Sequence, residues 1–287
     1  MPLILVAGTE AGAGATTLAV GLAHRIAYAG HEVTLARIAG DGRAEGDAHL
    51  FATLDIAAAS GEPVAEAALP GLAALAWAGG IVVAEVAAGV DAAALASRLG
   101  ARLVLVGRAE TPVSAGATFI VNHARTAGPL ALAEDRLLAA PSVAQIIEAS
   151  GATVLARSVA GDSAVLEHIV IGAISHDSDE PYFRRFPRKV VVTRSERVDI
   201  VLSALRTETE CLVLTGGAEP SPYILDRVSA ERSTTLLLAP HGTVETIREI
   251  EGTFGRAAFA GEAKVQRIGA LIAEVIDDAT LAQLIEG

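Results

Sequence analysis

Residues 3–23 read LILVAGTEAGAGATTLAVGLA. The unbroken apolar run at 3–7 fits a strand buried on both faces, as in a parallel sheet, and Gly8, Gly12 and Gly14 mark the turn that follows. A helix starting near Thr16 and Thr17 would aim its N-terminus, with its unbonded N–H groups and partial positive charge, over that turn. Strand, glycine turn and helix in this order are the parts of a phosphate-binding loop. One part differs, because the lysine that would precede the threonines is Ala15. Loops of this kind use the lysine on the outer phosphates during transfer and the next Ser/Thr on magnesium. Gly8, Thr9, Gly12, Gly14, Ala15, Thr16 and Thr17 therefore retain the backbone cradle and the metal hydroxyl without the cation.

The pattern continues outward from this loop. Short Val/Ile/Leu runs at 3–7, 32–37, 80–85, 102–107 and 117–121 alternate with alanine-rich helical segments at 15–29, about 46–59, 71–78, 90–99 and 142–150. Only RAETPVSAG, residues 108–116, separates the fourth run from the fifth, short for a parallel crossover. Either a crossover helix is missing or 117–121 pairs in another way. Periodicity lapses in LARSVAGDSAV, residues 155–165, which reads as a domain boundary. A second series follows, with strands at about 168–174, 189–194, 211–215 and 234–239, helices at 179–185, 198–206, 221–231 and 242–253, and a last amphipathic helix from about 263. That helix either docks on its own domain or offers a partner surface. The expectation is an α/β protein of two three-layer α/β/α domains with mostly parallel sheets, residues 1–160 and 163–287.

Composition narrows the function classes. The chain of 287 residues is 52% hydrophobic, yet charges and polar turns interrupt every run before the roughly 20 apolar residues a membrane span needs. The apolar start lacks a basic n-region and is broken by Glu10, His24 and Arg25, unlike a signal peptide. One cysteine, Cys211, rules out an internal disulfide and fits a reducing, cytoplasmic compartment. A net charge of −12 with no Lys/Arg-rich stripe argues against nucleic acid. The only lysines are Lys189 and Lys264, against 20 arginines (22 − 2), a bias that does not explain an alanine at 15. None of the seven histidines shows the paired spacing of a zinc site. No G-x-S-x-G elbow is present, and Cys211 opens a buried-looking strand.

Two acidic positions complete the first constellation. EGDAHLF supplies Asp47 after the second strand, and VVAEVAAG supplies Glu85 at the end of the third. Singly, Asp47 reads as a helix cap, Thr16 and Thr17 as caps or packing, and Glu85 as an ordinary strand-end carboxylate. Together with the loop, they resemble dethiobiotin synthetase and the related cobyrinic acid amidases. That resemblance implies Thr16, Asp47 and Glu85 as magnesium ligands, an adenine nucleotide on the loop, and Asn122 in ATFIVNHA as the residue that reads the base.

Polar clusters follow all four strands of the second series: SHDSD at 175–179, RSER at 194–197, TGGAEPSP at 215–222 and PHGT at 240–243. In an open parallel sheet these strand ends line the ligand crevice. His176, Glu196, Arg197, Thr215, Gly216, Gly217 and His241 are the candidate ligand residues of this second site. Taken singly, TGG is a strand-to-helix turn and Arg197 a solvated charge. The stretches LAEDRLLAAPSVAQIIEASGATVL (132–155) and IVIGAISHDSDEPYFRRFPRKVVVTRSERVDIVLSALRTETECLVLTGGAEPSPYIL (169–225) resemble the end of the N-terminal domain and the DRTGG domain of long-form phosphotransacetylases. Glu196-Arg197 and Thr215-Gly216-Gly217 match the elements that name the domain, with Glu in place of Asp. The acetyl-transferring domain that would come next does not follow.

The resemblance implies regulation rather than chemistry. The expected protein is a cytoplasmic homo-oligomer that binds a nucleotide or related phosphorylated metabolite, without catalysis, and informs a separate acetyltransferase or another metabolic enzyme. Two alternatives stay open. One is an ATP- and magnesium-dependent synthetase of the dethiobiotin or amidase type in which Arg37 or Arg43 replaces the lysine. The other is a structural assembly subunit with both pockets vestigial.

Overall fold

The computed structural model describes residues 3–77, 80–108, 116–173 and 179–286. They group into two compact units, Met1–Glu134 with Val265–Gly287, and Asp135–Lys264. In chain order the first unit contains β1 (Leu3–Gly8), α1 (Ala15–Tyr28), β2 (Val33–Arg37), α2 (Ala44–Ala52), α3 (Leu69–Trp77), β3 (Ile81–Glu85), α4 (Ala92–Leu99), β4 (Arg102–Gly107), β5 (Thr118–Ala124) and β6 (Ala131–Ala133). Its sheet runs β2-β3-β1-β4-β5-β6, and every pairing is parallel. Leu3, Ile4, Leu5 and Val6 of β1 are all 0% exposed, which explains why that strand shows no alternation. The chain winds from β1 to β2 and back through β3, then crosses to β4 on the other side of β1. Such a switch of direction opens a crevice at the carboxyl ends of the strands, where the glycine loop lies.

β5 pairs parallel with β4, so the short connection is a parallel crossover. Its residues 109–115 lie outside the described part.

The second unit contains α5 (Arg136–Ala139), α6 (Val143–Ser150), β7 (Thr153–Ala156), β8 (His168–Ile171), α7 (Asp179–Phe183), β9 (Lys189–Arg194), α8 (Val198–Leu205), β10 (Cys211–Thr215), α9 (Pro222–Glu231), β11 (Thr235–Leu238) and α10 (Thr243–Glu251). The sheet order is β7-β11-β10-β9-β8, with β7 antiparallel to β11 and the rest parallel. Apolar clusters cover both faces, one around Val191, Leu212 and Ile200, the other around Val190, Val213 and Ile146. Both lysines of the chain are in this unit and each is 1% exposed. Lys189 donates its ammonium to the Glu208 carbonyl, and Lys264 donates to the Leu138 carbonyl at 2.9 Å. Burial pulls both below the usual lysine range, Lys264 to about 8.

The division expected at 160/163 differs from these units. Residues 135–160 group with the second unit because α6, fixed by a Ser142–Gln145 capping box, packs beneath its sheet and β7 pairs with β11. The last segment also departs from expectation. It breaks into α11 (Glu262–Val275) and α12 (Asp278–Ile285), because the Asp277 carboxylate caps the second helix by accepting from Thr280 N–H at 2.8 Å. From Val265 onward it belongs to the first unit, where it docks on α1. A Cβ on Gly21 would lie 2.6 Å from Cγ1 of both Ile268 and Ile272, and one on Gly269 would lie 2.4 Å from His24. Only glycine permits that approach. Arg25 of α1 also meets Asp278 of α12. No described helix is long and apolar enough to cross a membrane.

Candidate functional site

The loop after β1 has the backbone its glycines announce. Gly12 and Gly14 hold φ of 79° and 100°, left-handed values that disfavour a side chain. Gly14 is the N-cap of α1 and offers no side-chain acceptor, so the first-turn N–H groups of Ala15, Thr16 and Thr17 have no intrahelical partner. Other donors are already committed. Thr9 N–H bonds Val106 O at 2.9 Å and Ala13 N–H bonds Glu10 O at 3.2 Å. Thr9 packs its side chain over Gly107, where a Cβ would fall 2.1 Å from the hydroxyl. Asn122 does not project free. It donates Nδ2–H to Ala13 O at 2.8 Å and accepts from His123 N–H at 2.9 Å, so it fastens the loop to the end of β5.

Thr16, Asp47 and Glu85, expected as magnesium ligands, are linked in a chain rather than gathered on one point. Thr16 donates its hydroxyl to Glu85 Oε1 at 2.9 Å. Asp47 and Glu85 are joined through the guanidinium of Arg37, 2% exposed at the end of β2. Its Nε–H donates to Asp47 Oδ2 at 3.1 Å, Nη2 to Asp41 Oδ2 at 2.6 Å, and Nη1 to Ile38 O at 2.6 Å. Glu85 Oε2 lies 3.6 Å from Nε, an ion pair without a hydrogen bond, and has no hydrogen-bond partner among the described residues. Asp41 is anchored further by accepting from the N–H groups of Arg43 and Ala88.

The electrostatics follow from this packing. Burial opposes the charge on Arg37, but Glu85, Asp41 and Asp47 outweigh it and hold its pKa above the usual value. Asp41 also feels some desolvation, yet the hydrogen bonds from Arg37 and Arg43 keep its carboxyl below the usual range. Glu85 goes the other way. Burial pushes it up to about 7, with Arg37 only partly offsetting the effect. Magnesium needs bare oxygen donors in a near-octahedral shell at about 2.1 Å. The donor types are right, but the Asp47 oxygen is bonded to the guanidinium and Glu85 Oε2 lies against it, so the residues as arranged do not fit the ion. Arg43, the other arginine considered as a lysine replacement, lies exposed just before α2.

In the second unit the strand ends bring Thr215, Gly216, Gly217 and His241 together, with Glu196 and Arg197 at the adjoining end of β9. Their polar groups face one another. Thr215, 1% exposed, donates to Thr193 O at 3.3 Å or shares a 2.7 Å bond with the Thr243 hydroxyl. Gly216 and Gly217, at φ of 92° and 69°, direct their N–H groups to His241 O at 2.8 Å and Ala239 O at 3.1 Å. Thr-Gly-Gly thus works as a staple between β10 and the segment entering α10, and those N–H groups are not aimed outward. Arg197 grips Asp199 with Nε at 3.1 Å and Nη2 at 2.9 Å, and Nη1 reaches Ala173 O at 3.4 Å. Glu196 is exposed and engages Arg194 and Ser195. His176 lies outside the described residues.

Reading by histidine pairs missed one grouping. His241, just before α10, and Glu245 and Glu249 within it carry candidate ligand atoms within 4.8 Å of one another. The signal was a His-x3-Glu-x3-Glu spacing. His241 and Glu249 already pair at 2.9 Å.

A family model described as the DRTGG domain matches residues 145–253, so this part of the chain is a DRTGG domain. Among solved structures, the chain is similar to the CBS and DRTGG domains of the regulatory region of Clostridium perfringens pyrophosphatase, complexed with its activator diadenosine tetraphosphate. The identity is 17%, the match covers 51% of this chain and 70% of that one, and the TM-score is 0.38.

Proposed function

We propose that this chain is a non-catalytic regulatory protein that senses a nucleotide or related phosphorylated metabolite. One observation carries the reading. The start of α1 presents first-turn N–H donors with no intrahelical or side-chain cap partner among the described residues, in a glycine cradle, while position 15 has no cation and Arg37 is bound to carboxylates on its own side of the pocket. A backbone cradle can hold a phosphoryl group. Stabilising charge that develops in transfer needs a cation free to follow it. The DRTGG domain supports the same reading, since its resemblance implies regulation. Magnesium has no part in it.

A homo-oligomeric, cytoplasmic form and a partner enzyme, such as a separate acetyltransferase, belong to this proposal. The second reading, an ATP-dependent synthetase, is favoured only by the contact of Thr16 with Glu85 and by Asp47 and Glu85 meeting the same Arg37.

The test is a thermal-shift panel on the full chain with ADP, ATP, AMP, diadenosine tetraphosphate, CoA and acetyl phosphate. A ligand at 100 times its Kd adds about 2.7 kcal/mol, which moves a midpoint by several degrees. A shift abolished by Gly14→Val places the ligand on the first loop, because a Cβ at Gly14 would fall 2.7 Å from Asn122 Nδ2 at a φ of 100°. A shift abolished by Arg197→Ala instead places it in the DRTGG domain. No shift from any compound contradicts the sensing proposal and leaves the assembly subunit.

A further inference from the structure

We propose that Arg37 is a resident cation that takes the place of the divalent ion in the first pocket, so that this site works without metal and becomes a metal site when the arginine is removed. The inference concerns the same pocket as the sensing proposal, but it does not depend on any ligand binding there.

The geometry carries it. Asp41 from the loop after β2, Asp47 from α2 and Glu85 from the end of β3 meet around one guanidinium whose three nitrogens are all in contact with them or with Ile38 O. A planar fork can bond Asp41 through Nη2 and Asp47 through Nε at once, which a lysine ammonium on its stem could not do in the same plane. Thr16, the hydroxyl placed for an ion, donates its hydrogen bond to Glu85 instead. The second, independent observation is Glu85 Oε2. It belongs to a side chain 5% exposed, has no hydrogen-bond partner among the described residues and is ion-paired with Arg37 at 3.6 Å, so its lone pairs are held inside the pocket by charge alone. Without Arg37, Asp41, Asp47 and Glu85 would face the space its guanidinium leaves with no counter-charge, an oxygen-lined, net-negative pocket that a hard divalent cation could draw together.

The probe is Mn2+ alone, titrated into full-length protein while the electron paramagnetic resonance signal of free Mn2+ is followed. Wild type is expected to show no uptake that depends on Glu85, which is read by comparison with Glu85→Gln. This comparison also removes any background from the exposed His241 and Glu245 with the half-buried Glu249. Arg37→Met is expected to take up one equivalent at least about tenfold more tightly than wild type, and Arg37→Met/Glu85→Gln to lose it. Arg37→Gln replaces Arg37→Met if the latter fails to fold. Uptake of one equivalent by wild type that Glu85→Gln abolishes would overturn the proposal. So would a folded Arg37 variant that binds no more Mn2+ than wild type. Either failure leaves the thermal-shift result standing on its own.

Discussion

Lys264 offers a prediction whose size comes from the structure. It is 1% exposed, its ammonium donates to Leu138 O at 2.9 Å, and burial lowers its pKa from 10.5 to about 8. A folded pKa below the unfolded value means that the unfolded chain holds the proton more tightly between pH 8 and 10.5. The stabilising contribution is therefore complete above 10.5 and is lost as pH falls through 8. The gap of 10.5 − 8 units corresponds to about 3 kcal/mol, gained at roughly 1.4 kcal/mol per pH unit. Lys264→Met keeps the apolar stem and removes the titrating group. Urea unfolding of both proteins by circular dichroism from pH 7 to 10.5 should show wild type gaining about 3 kcal/mol relative to the variant. The Leu138 carbonyl orphaned in the variant shifts its curve by a constant amount and leaves the slope untouched. Parallel curves would refute the claim that this lysine is desolvated in the folded state.

Glu85 should give the opposite slope. Its pKa is raised to about 7, so its contribution is present below about pH 4.5 and lost as pH rises through 7, and wild type should lose about 3 kcal/mol relative to Glu85→Gln over that range in the same unfolding assay. Two glycine replacements should differ in sign by differential scanning calorimetry. Gly21→Ala, with its Cβ 2.6 Å from two isoleucines, should cost about 1–2 kcal/mol despite better helix propensity, whereas Gly46→Ala in α2, with nothing within 4 Å, should gain about 0.5–1 kcal/mol. Thr215→Val removes a buried hydroxyl placed between Thr193 O and Thr243, and urea titration should show a loss of about 1–3 kcal/mol.

Much of this architecture was legible in the residues. The first strand and its loop announce themselves because a strand buried on both faces needs an unbroken apolar run and the turn needs left-handed glycines at 12 and 14. β7 was not legible. Four residues at a sheet edge, paired antiparallel, give too short a pattern to separate from the polar stretch after it, so the boundary fell too late. The amphipathic stripe of α11 shows that one face is buried but not against which partner, and the decisive cue was a glycine in α1 at position 21.

At the site, the loop residues and the three acidic or hydroxyl partners could be named from spacing. What spacing could not show is how one arginine divides its donors. Arg37 stood out as a candidate to replace the lysine, yet its charge is taken up by Asp41 and Asp47, and Asp41 carries no motif. In the second unit, Thr-Gly-Gly looks like a nest in sequence because its conformation does favour outward N–H groups. The carbonyls of Ala239 and His241 that fill it come from a segment more than one element away.

The first loop keeps the backbone for binding and lacks the cation for transfer. The measurement that tests it most directly is steady-state phosphate release from ATP with magnesium, by full-length protein and by Thr16→Ala. The account predicts release no faster from wild type than from the variant. Release at about 1 s⁻¹ or more, in the range of ordinary enzymes and abolished by Thr16→Ala, would contradict it.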